Sequence, residues 1–325
     1  MNYDVVCLRP RADFERVGAL PPPTFTIAYR APDDGELPSL LKQARALVIP
    51  AVGPKLPASL FEGSTVKLVQ VTGTGVDRLD QAALKRLGIP VANAAGGSNS
   101  AVAEYAVACA SALLRRFAWA SAELHTGRYE QFRKRMLADN LAGIDGLLVG
   151  VVGLGVIGLA VAQAFHAMGA RICYYDPAPC EPHAAMAIGA QSVALEELLT
   201  TSDVVTLHVP LLPATRGLIG DRQLATMKPG ALLINAARGG VVDEAALAAH
   251  LASGRLGGAA VDVYSAEPPG ADNPLFKLEG DAARRLLLTP HIAGVTRQSF
   301  ANLFHASWQN VQRVLRGEAP VNRVY

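Results

Sequence analysis

The sequence predicts an α/β protein made of two doubly wound parallel-sheet domains. Short apolar, partly β-branched runs alternate with helix-spaced segments along most of the chain, the pattern of repeated strand–helix–strand units. A glycine-rich turn, Gly153-Leu-Gly155-Val-Ile-Gly158, joins one such run to one such helix. The 325 residues are also more than a single hydrophobic core ordinarily organises.

Residues 1–99 read as a small parallel-sheet domain. The runs starting at Val5 (VVCL), Ala46 (ALVIPA), Val66 (VKLVQV) and Ile89 (IPVAN) are bounded by Pro, Gly or Asp and predict strands. LPSLLKQA from Leu37 and DQAALKRLG from Asp80 have helical spacing, with Gly88 placed to end the second helix. From Ser100 to about Gly127 there is no Pro and much small, apolar content, which predicts a long helix buried against a domain or subunit surface. The strand–helix theme returns between Leu147 and Thr289. LLVGVVG, RICYYD, DVVTLHV, GALLINA, GGAAVDVY and RLLLTP read as strands there. IGLAVAQAFHAMG, LEELLT, DRQLATM and EAALAAHLASG read as the helices between the first five of them. Thr296 to Arg316 reads as a final helix; if it packs on the first domain, that domain is discontinuous. Residues 128–146 and 266–285 are the long loop candidates.

Composition narrows the function classes. Half the residues are apolar and 18% are charged, as in a well-buried globular protein. The net charge is +2, and no Lys/Arg block interleaved with aromatics stands out, so no nucleic-acid partner is expected. The apolar runs fall short of the ~20 residues of a membrane span, and MNYDVVCLRP is unlike a secretory leader. No membrane partner and a cytoplasmic location are the expectation. Cys7, Cys109, Cys173 and Cys180 form no CxxC pair and no Cys/His cluster, so neither disulfide nor metal is expected.

The glycine turn gains weight from its setting: a strand before it, a helix after it, then Gly169 and the strand RICYYD ending at Asp176. Gly153 suits a tight turn, Gly155 a close backbone approach to a pyrophosphate, and Gly158 close packing of helix on sheet. The helix N-terminus offers free N–H groups and positive dipole to the phosphates. Packing alone would also explain the glycines, but it leaves Asp176, about 20 residues on, without a reason. Its carboxylate can accept both ribose hydroxyls and would repel a 2′-phosphate. Pro-Ala-Pro-Cys after it brings no cation, so NAD rather than NADP is expected.

Three polar residues stand where apolar strands run out: Arg238 in NAARGGVVDE, Glu267 in SAEPPG and His291 in TPHIAG. In parallel sheets, functional groups gather at the carboxyl ends of strands. Arg238 can bind a carboxylate and polarise an adjacent ketone. His291 can give a proton to the developing alkoxide or take one back, and Glu267 can orient its imidazole. Taken singly, Arg238 could be a salt-bridged loop residue, Glu267 a solvated acid and His291 a capping or core histidine. Together, beside a dinucleotide fingerprint, they suit reduction of a 2-oxo acid. His208, at another strand end, could line the cofactor, whereas His125, His166, His183, His250 and His305 sit in helical or loop segments.

These residues resemble the D-isomer-specific 2-hydroxyacid dehydrogenase family. The resemblance rests on GTGVD at 73–77, VAEYAV at 102–107, VVGLGVIG at 151–158 and HVPLLPATRGLI at 208–219. It continues through INAARGGVVDEAAL at 234–247, AVDVYSAEPP at 260–269 and TPHIAG at 289–294. It implies a substrate domain of residues 1–99 and 295–325, a Rossmann-like NAD domain of residues 100–294, and a homodimer. It places the family's catalytic Arg, Glu and His on Arg238, Glu267 and His291. The backbone of Thr74 and Gly75 would grip the substrate carboxylate, and Asp262 would meet the nicotinamide side of NAD. Val156, Ile157, His208, Pro210, Thr215, Ala236 and Gly294 complete the implied cofactor set. Closure over substrate is expected, with hinges near residues 98–100 and 293–296.

The substrate is left open between two kinds of acid. GTGVD and ARGGVVDE look like phosphoglycerate dehydrogenases, which hold the phosphate with basic residues at first-domain strand ends. Here Pro50 and Val71 stand at those ends, which favours a small unphosphorylated acid such as glyoxylate or hydroxypyruvate. An NAD-gated regulatory protein is the alternative from a different class.

Overall fold

The structure is a computed structural model describing residues 3–178 and 182–325. By internal contacts the chain divides into Met1–Ser98 with Val295–Tyr325, and Asn99–Gly294.

The first unit holds five parallel strands: β1 (Val5–Cys7), β2 (Ile27–Tyr29), β3 (Ala46–Ile49), β4 (Val69–Val71) and β5 (Val91–Ala92), in the order β2-β1-β3-β4-β5. Side chains alternate between faces because a strand repeats every two residues. Val6, Leu47, Ile49, Val69, Val71 and Val91 pack into one core. Val5, Cys7, Ala46, Val48 and Ala92 point the other way, onto Phe304, Trp308 and Val311 of the helix Arg297–Leu315. That helix starts at Thr296, whose side chain accepts from Ser299 N at 3.1 Å. It is also tied to β4 by a buried amide pair, Asn310 Nδ2 donating to Gln70 Oε1 at 2.7 Å. The C-terminal segment thus supplies one whole face of this core. The sequence pattern missed β2, an edge strand in which only Ala28 is buried.

The second unit holds seven parallel strands: β6 (Leu148–Val152), β7 (Arg171–Tyr175), β8 (Gln191–Ser192), β9 (Val204–Leu207), β10 (Leu232–Asn235), β11 (Gly258–Val261) and β12 (Leu286–Leu288). Their order is β12-β11-β10-β9-β6-β7-β8. The chain runs outward from β6 to β8, then crosses back to β9 and runs outward the other way. This leaves a crevice at the carboxyl ends of β6 and β9, the switch point where doubly wound sheets take ligands. Apolar side chains cover both faces: Val205, Leu207, Leu233 and Val261 on one, Val149, Val151, Val204, Leu232 and Ile234 on the other.

Two segments depart from the expected pattern. The long helix is two helices, Asn99–Leu114 and Phe117–His125, because Arg116 adopts a left-handed backbone with φ 53°. The turn is held by the pairing of Arg116 with Asp139 and by its guanidinium lying 5.2 Å from the Trp119 ring centroid. Asn99–Leu114 buries its small residues Ala103, Ala106 and Ala110 with Val161, Ala162 and Phe165 of the helix Val156–Ala167. Residues 128–146 include a helix, Tyr129–Ala138, which buries only Phe132 and so carries little apolar period to read. Phe132 packs on Trp119 with ring centroids 5.6 Å apart. The 266–285 stretch holds two single turns, Pro274–Lys277 and Gly280–Ala283.

Cys7, Cys109 and Cys173 are buried and unpaired, and burial pushes the Cys7 thiol up to about 12. Cys180 lies outside the described residues. Among those described, no helix is long and apolar enough to cross a membrane, and no group of three His, Cys, Asp or Glu could hold a metal ion.

Candidate active site

Strand ends of the second unit's sheet carry the chemistry. After β6, Gly153 takes φ +91°, and a Cβ there would lie 2.8 Å from the His208 carbonyl oxygen after β9. Only glycine closes this turn. A Cβ at Gly158 would overlap the Gly153 carbonyl, so that glycine lets the helix Val156–Ala167 pack onto the turn. Gly155 caps that helix without a side-chain bond, and a Cβ there would meet nothing within 4 Å. Gly155 and the exposed Val156 leave the positive end of the helix open, a fitting cradle for a diphosphate, while Ile157 packs back against the core.

Asp176, after β7, braces the same turn. Its Oδ2 accepts from Leu154 N at 2.7 Å and its Oδ1 from Ala178 N at 2.9 Å. Each carboxylate oxygen keeps a lone pair that could take a ribose hydroxyl. Pro179 and Cys180, part of the argument against NADP, lie outside the described residues.

His208 binds Thr206 Oγ1 through Nε2 at 2.8 Å, while its Nδ1 is buried without a protein partner. Burial pushes its pKa down to about 3, so the ring is neutral near pH 7. Thr215 donates to the Pro210 carbonyl at 2.6 Å and accepts from Leu212 N at 2.8 Å, fixing the loop after β9. Ala236 is half-buried just past β10. The open helix end, the orphaned His208 nitrogen and the lone pairs of Asp176 together fit a dinucleotide.

Arg238, Glu267 and His291 follow β10, β11 and β12, neighbouring strands. His291 Nδ1 lies 2.8 Å from Glu267 Oε2, with the two side chains 30% and 27% exposed, so both groups can meet solvent and ligand. The other Glu267 oxygen, Oε1, accepts from Tyr264 N at 3.0 Å. Burial works against ionisation of Glu267. The bonds from His291 and Tyr264 N–H, with the Arg238 charge, outweigh it and hold the carboxyl below the usual glutamate range. Arg238 is half-buried, and its Nη1 donates to its neighbour Ala237's carbonyl at 2.6 Å. A Cβ at Gly239 would overlap the Tyr264 carbonyl, so this glycine lets the Arg238 turn pack on the Glu267 loop.

The sequence pattern did not show how His291 is held. Its backbone is left-handed, φ 55°, an uncommon conformation for a residue with a side chain. Asp262 fixes it: Oδ1 accepts from Ile292 N at 2.7 Å and from Thr289 Oγ1 at 2.6 Å, and Oδ2 accepts from Ala293 N at 2.9 Å. Since Thr289 gives its proton to Asp262, it takes one from Tyr105, whose hydroxyl is 2.7 Å away. Burial pushes the Tyr105 hydroxyl well above the usual tyrosine range, which keeps that proton in place. Gly294 ends this loop and this unit.

In the first unit, Thr74 and Gly75 follow β4, and Asn93 Nδ2 donates to the Thr74 carbonyl at 2.8 Å. A cation does stand among these strand ends, though not where a linear reading would seek it. Arg78, only 4% exposed, turns inward and donates to the carbonyls of Pro54 at 2.8 Å, Pro50 at 2.9 Å and Val52 at 3.4 Å.

A profile of the D-isomer specific 2-hydroxyacid dehydrogenase NAD binding domain matches residues 107–293. The chain belongs to this family. The matched domain is the family's NAD binding domain, and its cofactor is NAD. The (S)-sulfolactate dehydrogenase of Chromohalobacter salexigens is 40% identical over 244 residues, 75% of this chain and 75% of that one. The D-3-phosphoglycerate dehydrogenase of Archaeoglobus fulgidus is 38% identical over 264 residues, 81% of this chain but 48% of the relative. The chain spans about half the length of that relative and of its Methanocaldococcus jannaschii counterpart. Among solved structures, the apo D-mandelate dehydrogenase of Rhodotorula graminis superposes with a TM-score of 0.82 at 27% identity, covering 100% of this chain and 98% of that one.

Proposed function

We propose that this D-2-hydroxyacid dehydrogenase family member interconverts a small D-2-hydroxy acid and its 2-oxo acid with NAD, using His291 as acid and base. The observation that carries this reading is the 2.8 Å bond between His291 Nδ1 and Glu267 Oε2. It fixes the ring and leaves Nε2 as the nitrogen that meets substrate. In the reducing direction Nε2 gives its proton to the forming alkoxide; in the oxidising direction it takes the hydroxyl proton. The Glu267 carboxylate stabilises the imidazolium between these events. Arg238 holds the substrate carboxylate and draws electron density from the carbonyl. Bound NAD takes or supplies the hydride. Gly153, Gly155, Val156, Ile157 and Gly158 would hold its diphosphate, Asp176 would take a ribose hydroxyl, and His208, Pro210, Thr215, Ala236, Asp262 and Gly294 would complete the site.

Among acids, glyoxylate or hydroxypyruvate is preferred over 3-phosphohydroxypyruvate. Pro50 and Val71 bring no charge to the strand ends, and the buried Arg78 donates to loop carbonyls through Nε and Nη1. The protein is further proposed to be a cytoplasmic homodimer. Phe117, Leu124, Tyr129 and Leu137, all more than half exposed, mark apolar surface that a second copy would cover. The test is NADH oxidation with a panel of glyoxylate, hydroxypyruvate, 3-phosphohydroxypyruvate and 3-sulfopyruvate, in wild type and Arg238→Ala. Turnover lost in the variant supports the reading. NAD binding with no turnover on any acid overturns it and favours a regulatory role.

A further inference from the structure

The loop that carries Glu267 has little to hold it by packing. Ser265, Ala266 and Pro268 are exposed and the Glu267 side chain is only partly buried, 27% exposed, so packing alone does not fix where its carboxylate stands. Its two ends nonetheless converge on one group. Glu244, the first residue of the helix Glu244–Ala252, accepts through Oε1 from Ser265 N at 2.6 Å and from Ser265 Oγ at 2.8 Å. Through Oε2 it accepts from Asn273 Nδ2 at 2.6 Å. Asn273 in turn caps the following turn, its Oδ1 accepting from Leu275 N at 3.0 Å, and Leu275 is buried in the core. The helix is anchored independently by Asp243, whose Oδ1 accepts from Ala245 N and Ala246 N.

We propose that Glu244 is a positioning residue that closes the loop Ser265–Asn273 on a single carboxylate and so holds Glu267 against His291. This rests on the acid–base reading of that pair. Charge-assisted bonds of this kind are the strong ones, and three of them on two oxygens leave the loop ends little freedom. The helix end that carries Glu244 is capped by Asp243, so the loop takes its place from a regular element of the scaffold. The groups facing Glu267 are His291, Arg238 and the Tyr264 N–H, whereas the bond that holds the far end of the loop at Asn273 runs to Glu244.

The experiment is a double-mutant cycle between Glu244→Ala and Glu267→Gln in the full chain, read as kcat, NAD affinity and the pH profile of kcat/KM. Glu244→Ala is expected to lower kcat about tenfold or more, as small misplacements of reacting groups do. NAD affinity should stay within about twofold, a check that the variant is folded. The acid limb of the profile should move up, because the bonds that hold the Glu267 carboxyl down loosen. In the Glu267→Gln background, adding Glu244→Ala should cost little more. Glu244→Gln, which keeps one acceptor oxygen, should fall between wild type and Glu244→Ala. Additive losses in the cycle, or an unmoved pH profile, overturn the proposal and leave Glu244 a general stability residue. If Glu267→Gln alone leaves turnover intact, it is the acid–base reading itself that fails.

Discussion

Asp262 holds His291 from behind: the His291 N–H donates to the Asp262 carbonyl at 2.8 Å, and the Asp262 carboxylate takes the next two backbone N–H groups, those of Ile292 and Ala293. A left-handed residue costs roughly 1–3 kcal/mol and persists only where its surroundings over-determine it. Thr289 and Tyr105 are part of that surround. Thr289→Val removes the donor to Asp262 and the acceptor for Tyr105 together, so a destabilisation of about 1–3 kcal/mol is expected. Tyr105→Phe removes one neutral bond and should cost about 1 kcal/mol. Urea unfolding of both variants checks the ranking; equal losses, or none, would mean the network does not hold the loop.

For His291→Ala, turnover should fall about 10²–10⁴-fold, the range of a lost general acid–base. NAD affinity, measured by fluorescence of bound NADH, should stay within about twofold, since the phosphates and ribose are held elsewhere. A parallel collapse of NAD binding would show that the side chain serves the cofactor and not the proton.

Asp176 has two separable duties, the tie to Leu154 N and the charge at the ribose. Asp176→Asn keeps an acceptor for the tie but removes the charge, so NADP should bind better relative to NAD. Asp176→Ala loses both, and NAD affinity should drop about tenfold or more, the worth of a hydrogen bond to a charged group. Titrating both cofactors against both variants separates the duties. An unchanged NAD to NADP ratio in Asp176→Asn would remove the charge argument.

The parallel sheets were legible in the sequence because their strands are buried on both faces and read as unbroken apolar runs, as at β9, β10 and β11. The edge strand β2 and the helix Tyr129–Ala138 were not, because each buries one residue and leaves no period. Arg238, Glu267 and His291 could be found at strand ends, and the structure brings Glu267 and His291 into contact. What held them could not be found. Asp262, Thr289 and Tyr105 are 27 to 184 residues apart and meet only through the fold. Arg78, which no local pattern singles out, lies buried against carbonyls 24 to 28 residues earlier. Polar side chains that act through tertiary contacts leave no local pattern.

His208 predicts how the protein meets acid. Part of the residue reaches solvent, but its Nδ1 is sealed, and in the imidazolium that nitrogen would be a donor with no acceptor. Its folded pKa of about 3 lies below the ~6.5 of an unfolded histidine. Between those values the unfolded chain binds a proton that the native chain does not, so stability rises with pH and is lost as acid is added. This group can contribute a slope of up to about 1.4 kcal/mol per pH unit in that window and nothing above it. Other groups add their own slopes, Glu267 at lower pH among them, so the difference between wild type and a His208→Asn variant isolates this one. Unfolding free energies measured from pH 7 to pH 4 should fall less steeply in the variant. Parallel curves would mean that His208 takes up its proton in the folded protein as easily as in the unfolded chain.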